Sequence, residues 1–182
     1  MSNQLLEADL DHVEAEFAID LGRGVEIDDW EERYFPQFDE AIRVEANHMS
    51  SHYRVFYCLE KTIRSLIAQT LEQEAGANWW DSGRIPPGLH GEVAKRVQRE
   101  VDSGITVRSE QPIDYTTFGE LSEIIKANWD VFGALFASMR AVERVLANLN
   151  MLRGPIAHCS PLASDEVLRL ELSLRDWFRL LE

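Results

Sequence analysis

Apolar residues in this chain recur every three or four positions for several turns at a time, and clusters rich in Gly, Pro and Ser separate those stretches. That period is one face of an α-helix. The longest such pattern runs from Phe38 to about Leu71, with Met49, Phe56, Leu59, Ile63, Leu66 and Thr70 on one face and His52 on the same stripe. Ser50-Ser51 is the point where this helix could break or bend. Residues 76–91 read as a loop holding Trp79-Trp80 and Pro86-Pro87, and the helix after it carries Val93, Ala94, Val97 and Val101. Residues 103–115 read as irregular or briefly extended. Thr117-x-x-Glu120 is a capping box that opens a short helix with Phe118, Leu121, Ile124 and Ile125 inside. Trp129, Phe132, Leu135 and Phe136 predict another short helix. Ser138 predicts the cap of the next helix, and Ser164 that of the last, whose stripe is Val167, Leu170, Leu174, Phe178 and Leu181. The expected fold class is all-α, a helical bundle.

The N-terminal part differs from the rest. Residues 1–47 hold 14 acidic and 3 basic side chains, whereas the remaining 135 hold 18 and 15, so most of the net charge of −14 sits in the first quarter. Leu5 to Leu21 reads as a helix ended by Gly22 and Gly24, and Asp28 to Pro36 as a connector. The domain reading is an acidic N-terminal extension over residues 1–35 and one helical domain over residues 36–182. The extension reads as a solubilising segment, with an electrostatic cover for a basic cleft as the sharper alternative. Such a balance excludes a strongly basic nucleic-acid binder with high non-specific affinity. Two cysteines, Cys58 and Cys159, argue against a disulfide framework and for reduced thiols in the cytoplasm. No apolar run is long enough to span a bilayer, and the acidic first residues do not predict a secretory signal.

The chemistry concentrates in Leu149-Asn150-Met151-Leu152-Arg153-Gly154-Pro155-Ile156-Ala157-His158. Val142, Leu146, Leu149 and Arg153 follow a 4-3-4 spacing, so the arginine continues an apolar stripe. A charge there is costly unless it is paired or faces a wet cleft or interface. Arg43 with His48 and Arg84 with His90 fit the same loose pattern but lack that setting. On an unbroken helix, residues five apart point about 140° from each other. Gly154-Pro155 therefore predicts a kink or restart that lets Arg153 and His158 address one point. A fixed cation beside an imidazole, which titrates near neutral pH, suits cleavage or binding of a phosphodiester, with RNA the first ligand to consider. Other groups carry weaker readings. Glu45, His48 and His52 share a helix face, but no second acid–histidine pair completes a metal site, so no metal and no cofactor is expected and His52 reads as a partly buried, hydrogen-bonded histidine. Trp79 and Trp80 read as a loop anchor rather than a base-stacking pair, and Cys159 as a small residue rather than a nucleophile.

The segment also resembles the Arg-x4-6-His motif of the HEPN superfamily. From about Tyr34 onward the chain is similar to the HEPN domain attached to a fungal PIN-type endonuclease of RNA surveillance and to its bacterial relatives. The resemblance rests on Tyr53 to Ile67, Ile113-Asp114-Tyr115 with Phe118-Gly119-Glu120-Leu121, Asn128-Trp129-x-x-Phe132, and Leu149-Asn150-x-x-Arg153-x-x-x-Ala157-His158. It implies a bundle that dimerises through the motif-bearing helices and a composite site where the two motifs meet. In that site Arg153 holds the scissile phosphate and His158 acts as general base or acid, with the ribose 2′-hydroxyl as nucleophile and no metal. Its implied partners are RNA, a second copy of the chain and an antitoxin or regulatory protein, with neither DNA nor membrane. Active members often carry a polar residue after the arginine, commonly Asn or Asp, where this chain has Gly154. Asn150, one turn earlier, is the candidate replacement. Two function classes follow: an endoribonuclease of the toxin or anti-phage kind, or a non-catalytic module that binds RNA or nucleotide or mediates dimerisation.

Overall fold

Every regular element in the computed structural model is helical among the described residues, which are Val13, Phe17 and residues 30–181. The α-helices are α1 (Trp30–Tyr34), α2 (Glu40–Ala75), α3 (Pro87–Asp102), α4 (Phe118–Ala127), α5 (Trp129–Phe132), α6 (Met139–Ala157) and α7 (Ser164–Arg179). Short 3-10 turns occupy Phe35–Gln37, Trp79–Asp81 and Pro112–Tyr115. The all-α reading holds. The chain divides into two compact units, Met1–Val44 and Glu45–Glu182, and the division falls within α2. The helix expected over Leu5 to Leu21 lies outside the described residues apart from Val13 and Phe17, both helical. Where a connector was expected before Pro36, α1 forms instead, and Asp39 then opens α2 by accepting the Ala41 amide at 2.8 Å.

Helix α2 runs unbroken through Ser50-Ser51. Both hydroxyls fold back onto the helix, Ser50 donating to the Asn47 carbonyl at 2.8 Å and Ser51 to that of His48 at 2.7 Å, so neither side chain interrupts it. Its buried face is Phe56, Leu59, Ile63, Ile67 and Leu71. The buried stripe winds round the helix through Ile67 and Leu71, each step of four overshooting a full turn by about 40°, so Leu66 and Thr70, expected on it, lie half-buried at its margin. Each fully buried Ile or Leu on this face contributes about 1.5–3 kcal/mol of burial.

Pro87 starts α3 five residues earlier than the loop reading implies, since a proline at the first helical turn loses no needed donor. That brings Leu89 inside with Val93, while Val101 is exposed. The buried side of α4 is Phe118, Leu121, Ile124 and Ile125, and its capping box is formed as expected. Helices α4 and α6 pack closely, as do α6 and α7. Phe136 links these layers, its ring 6.4 Å from Phe132 and 5.7 Å from Trp177. Helix α7 is capped at Ala163 with no side-chain bond, so Ser164 is its first residue rather than its cap. Its inward residues are Leu170, Ser173 and Trp177, and Phe178 is exposed. The larger Trp177 takes the core position that periodicity alone shared between neighbours.

Candidate functional site

Helix α6 carries the predicted motif. Ser138 caps it by accepting the Ala141 amide at 3.4 Å, and Val142, Leu146 and Leu149 are buried against α4 and α7. One turn on, the stripe reaches the edge of the core. The Arg153 side chain is 47% exposed, with Nε 3.6 Å from Glu60 Oε2 on α2. Of the settings that tolerate a charge on an apolar stripe, the structure supplies a paired cation facing an open cleft.

The expected restart after Gly154 is absent. Helix α6 continues through Pro155 to Ala157. A proline this close to the helix end gives up one bond, to the carbonyl of Met151, and Met151 is an exposed residue that water can reach. The helix closes with His158 at the C-cap, its amide donating to the Gly154 carbonyl at 3.0 Å, and the Ser160 amide donating to Pro155 at 2.9 Å. Cys159 takes the left-handed position that this closure requires, at φ 54°. His158 thus lies past the last turn and is exposed, while the cleft beside Arg153 is lined on this helix by Arg153, Ile156 and Ala157. His158 lines neither this cleft nor the wider groove that Arg153 also borders. Asn150 is exposed and joins no hydrogen bond of its side chain among the described residues.

The facing wall of the cleft comes from α2. Tyr53, Phe56, Tyr57, Glu60 and Arg64 meet the α6 residues around a space of about 180 Å³. Glu60 is the pivot: it bonds Arg64, four residues along α2, at 2.5 Å and lies against Arg153. Arg64 also donates to the Thr116 carbonyl at 2.8 Å, which fixes its guanidinium at the back of the cleft. From there the space widens to a groove of about 440 Å³ toward residues 114–117, lined by five cationic side chains and two carboxylates. Lys61 reaches Asp114 at 3.3 Å. Burial would raise the Asp114 carboxyl, but the Ser109 hydroxyl and Lys61 outweigh it and hold it below the usual carboxylate range.

The outer wall of the groove is stapled by two ion pairs whose carboxylates, Glu120 and Glu100, are the better-buried partners. Arg96 on α3 donates two bonds to Glu120, at 2.7 and 2.8 Å, and a third to the Tyr115 carbonyl at 2.8 Å. Burial pushes the Glu120 carboxyl up, and the Arg96 fork with the Thr117 amide more than reverses this, leaving it lowered. Buried Glu100 bonds Arg108 and accepts from the Tyr115 hydroxyl at 3.2 Å, and the Arg108 guanidinium lies 4.9 Å over the Tyr115 ring. These contacts fix the stretch 103–115, whose one regular element is the short 3-10 turn at Pro112–Tyr115.

The remaining sequence candidates have structural settings. Arg84 bridges Glu74 at 2.9 Å and Asp130 at 2.5 Å, and its backbone carbonyl accepts from the Asn128 side chain. Trp79 is buried and Trp80 packs beside it, with His90 5.4 Å from the Trp80 ring, so this pair anchors its loop. His48 and His52 meet edge to face at 5.0 Å. His52 is partly buried, as expected, but its Nε2 has no hydrogen-bond partner, contrary to expectation. Burial, and then the charge of His48, lowers its pKa. Among the described residues no three His, Cys, Asp or Glu side chains gather as a metal set, and both cysteines are free and exposed. Glu60, Arg64 and Tyr57 were not singled out as site residues by sequence. The one local signal was the Glu60–Arg64 spacing of four on a helix.

A family model described as Swt1-like HEPN matches residues 54–182. The matched region takes in α2 from Arg54 onward and every later helix, and so both walls of the cleft. No curated protein and no solved structure matches the chain. Among the described residues no helix is long and apolar enough to cross a membrane.

Proposed function

The chain belongs to the Swt1-like HEPN family, and from that premise we propose that it is a metal-independent endoribonuclease of the toxin or anti-phage effector kind. The observation that carries this reading is Arg153: a half-exposed guanidinium at the end of a buried stripe, held by Glu60 at the mouth of a cation-lined cleft. An arginine so placed matches the planar, doubly donating recognition that a phosphodiester requires. His158 lies five residues on, exposed beyond the same helix end. Because it does not line the Arg153 cleft of its own protomer, the reading needs a homodimer in which two α6 ends meet and form a composite site.

In that site His158 accepts the proton of the ribose 2′-hydroxyl as its oxygen attacks phosphorus. Arg153 stabilises the charge that builds on the phosphoryl oxygens. The bond to the 5′-oxygen breaks, that oxygen takes up a proton, and the products are a 2′,3′-cyclic phosphate and a 5′-hydroxyl. No metal ion takes part in these steps. Asn150, one turn before Arg153, is the polar group available to replace the one missing at Gly154. The fungal PIN-associated HEPN domain remains the proposed relation, and an antitoxin or regulatory protein the proposed restraint on activity in the cytoplasm.

One observation favours a second reading. Gly154 leaves open space where active relatives carry a polar side chain, as a non-catalytic module that holds RNA or nucleotide, or only dimerises, would allow. Expression of wild type and His158→Ala in growing cells separates the two. Growth arrest by wild type that His158→Ala abolishes fits the nuclease. Harmless expression of both, with RNA binding that survives the substitution, fits the binding module and overturns the nuclease.

A further inference from the structure

Tyr53 and Tyr57 are the least explained side chains beside the cleft. They sit one turn apart on α2, 56% and 54% exposed, with ring centres 6.0 Å apart. Neither hydroxyl makes a hydrogen bond among the described residues, and both rings line the space beside Arg153. Scattered surface aromatics are ordinary. Two in succession on a helix, next to cations, are not spread at random. Lys61 continues the same face one turn beyond Tyr57, its side chain 51% exposed. Tyr57 also borders the wider groove that Lys61 and Arg153 line.

The geometry points to a subsite for single-stranded RNA in which Tyr57 and Tyr53 stack on unpaired bases next to the phosphate held by Arg153, while Lys61 takes a neighbouring phosphate. This rests on the nucleic-acid reading above and adds its substrate class. Aromatic rings bind any base through its π-face, but only where the base is free of its pairing partner, so the site selects unpaired RNA with little sequence preference. The local charge suits it. Although the chain carries −14 overall, Lys61, Arg64, Arg96, Arg108 and Arg153 line the groove with Glu60 and Asp114, and Glu120 and Glu100 pair Arg96 and Arg108 from its wall, so five cations against four carboxylates leave a local positive balance that suits a phosphate. Lys61 is the mobile member, since its partner Asp114 is also engaged by Ser109 and a phosphate can replace it on the ammonium.

The test uses full-length His158→Ala, which retains the groove, and a fluorescently labelled mixed-sequence RNA read by anisotropy, as a free single strand and within a hairpin stem. Tyr53 and Tyr57 are exposed, so Tyr→Leu at either leaves the helix intact, and an unchanged thermal midpoint verifies it. The parent should prefer the single strand. Tyr57→Leu should weaken it about tenfold or more, in line with the loss of one base–aromatic stack. Tyr57→Phe should stay within about twofold of the parent, and Lys61→Gln should flatten the salt dependence by about one phosphate contact. Single-strand binding that both Tyr→Leu variants leave unchanged overturns the subsite while leaving the RNA reading standing. A parent that binds no RNA overturns both. A fall in mass by light scattering in the Tyr→Leu variants overturns the subsite in favour of a seam between protomers.

Discussion

Glu120→Ala is the sharpest test of how the groove wall is held, because one carboxylate serves three elements. Its Oε2 accepts the Thr117 amide at 2.5 Å, closing the capping box of α4, and its two oxygens take the Arg96 fork from α3. Arg96 in turn holds the Tyr115 carbonyl in the irregular stretch between these helices. The substitution leaves the Thr117 hydroxyl capping the helix, so half of the box survives. What is lost is a bidentate charge-assisted pair between two largely buried side chains and one amide contact. Charge-assisted bonds are worth about 1.5–3 kcal/mol, and a broken box contact about 0.5–1 kcal/mol. Arg96 is partly hydrated and keeps the Tyr115 bond, which offsets some of this, so the expected loss is about 2–3 kcal/mol. In urea, with a slope of about 2 kcal/mol per molar, the midpoint should fall by roughly 1–1.5 M at unchanged slope. The double variant with Arg96→Ala should cost less than the two single changes together, by about 1–2 kcal/mol. The pH dependence follows from the lowered Glu120 carboxyl. Its stabilisation is fully present above the ordinary carboxylate range and is lost as pH falls through the folded value. Glu120→Ala should remove that part of the acid-side slope. A loss under 0.5 kcal/mol by the same relation, or strict additivity with Arg96→Ala, would refute the idea that this pair staples the wall.

Cys159→Gly should raise stability by about 0.5–1 kcal/mol in the same urea titration, because a residue with a Cβ is strained at φ 54° and glycine is not. His52 has a lowered pKa, so its folded form favours the neutral ring. Stability should be full above the unfolded histidine value near pH 6.5 and decline as pH falls through the folded one, and His52→Leu should flatten thermal midpoints across that window. A Cβ added at Gly154 meets nothing within 4 Å, so Gly154→Asn should fold normally and gain a few tenths of a kcal/mol in helix propensity. On the nuclease reading it should also raise the cleavage rate, measured under single-turnover conditions.

Much of the fold was legible because it depends on local rules. The Thr117–Glu120 box and the Ser138 cap each need only a few adjacent residues, and both formed. Periodicity identified the helices but shifted their faces where neighbouring residues were equally apolar. Ile67 was passed over for Leu66, and Trp177 for Phe178, and only the shape of the facing layer decides between such neighbours. The proline boundaries erred in both directions: Pro87 starts a helix, and Pro155 does not stop one. At the candidate site, the cleft-edge position of Arg153 was legible because a charge broke an apolar stripe. Its partners Glu60, Arg64 and Tyr57 were not, because α2 approaches α6 through tertiary packing across some ninety residues of sequence, and nothing in either segment names the other.

The measurement that bears most directly on the proposed activity is cleavage of RNA in EDTA by full-length wild type, Arg153→Ala and His158→Ala, with product ends analysed and mass followed by light scattering. The account predicts that wild-type dimer alone cuts and leaves 2′,3′-cyclic phosphate ends, while both variants remain folded dimers and fail to cut. A folded wild-type dimer that cuts no RNA, or variants that cut as well as wild type, would contradict it.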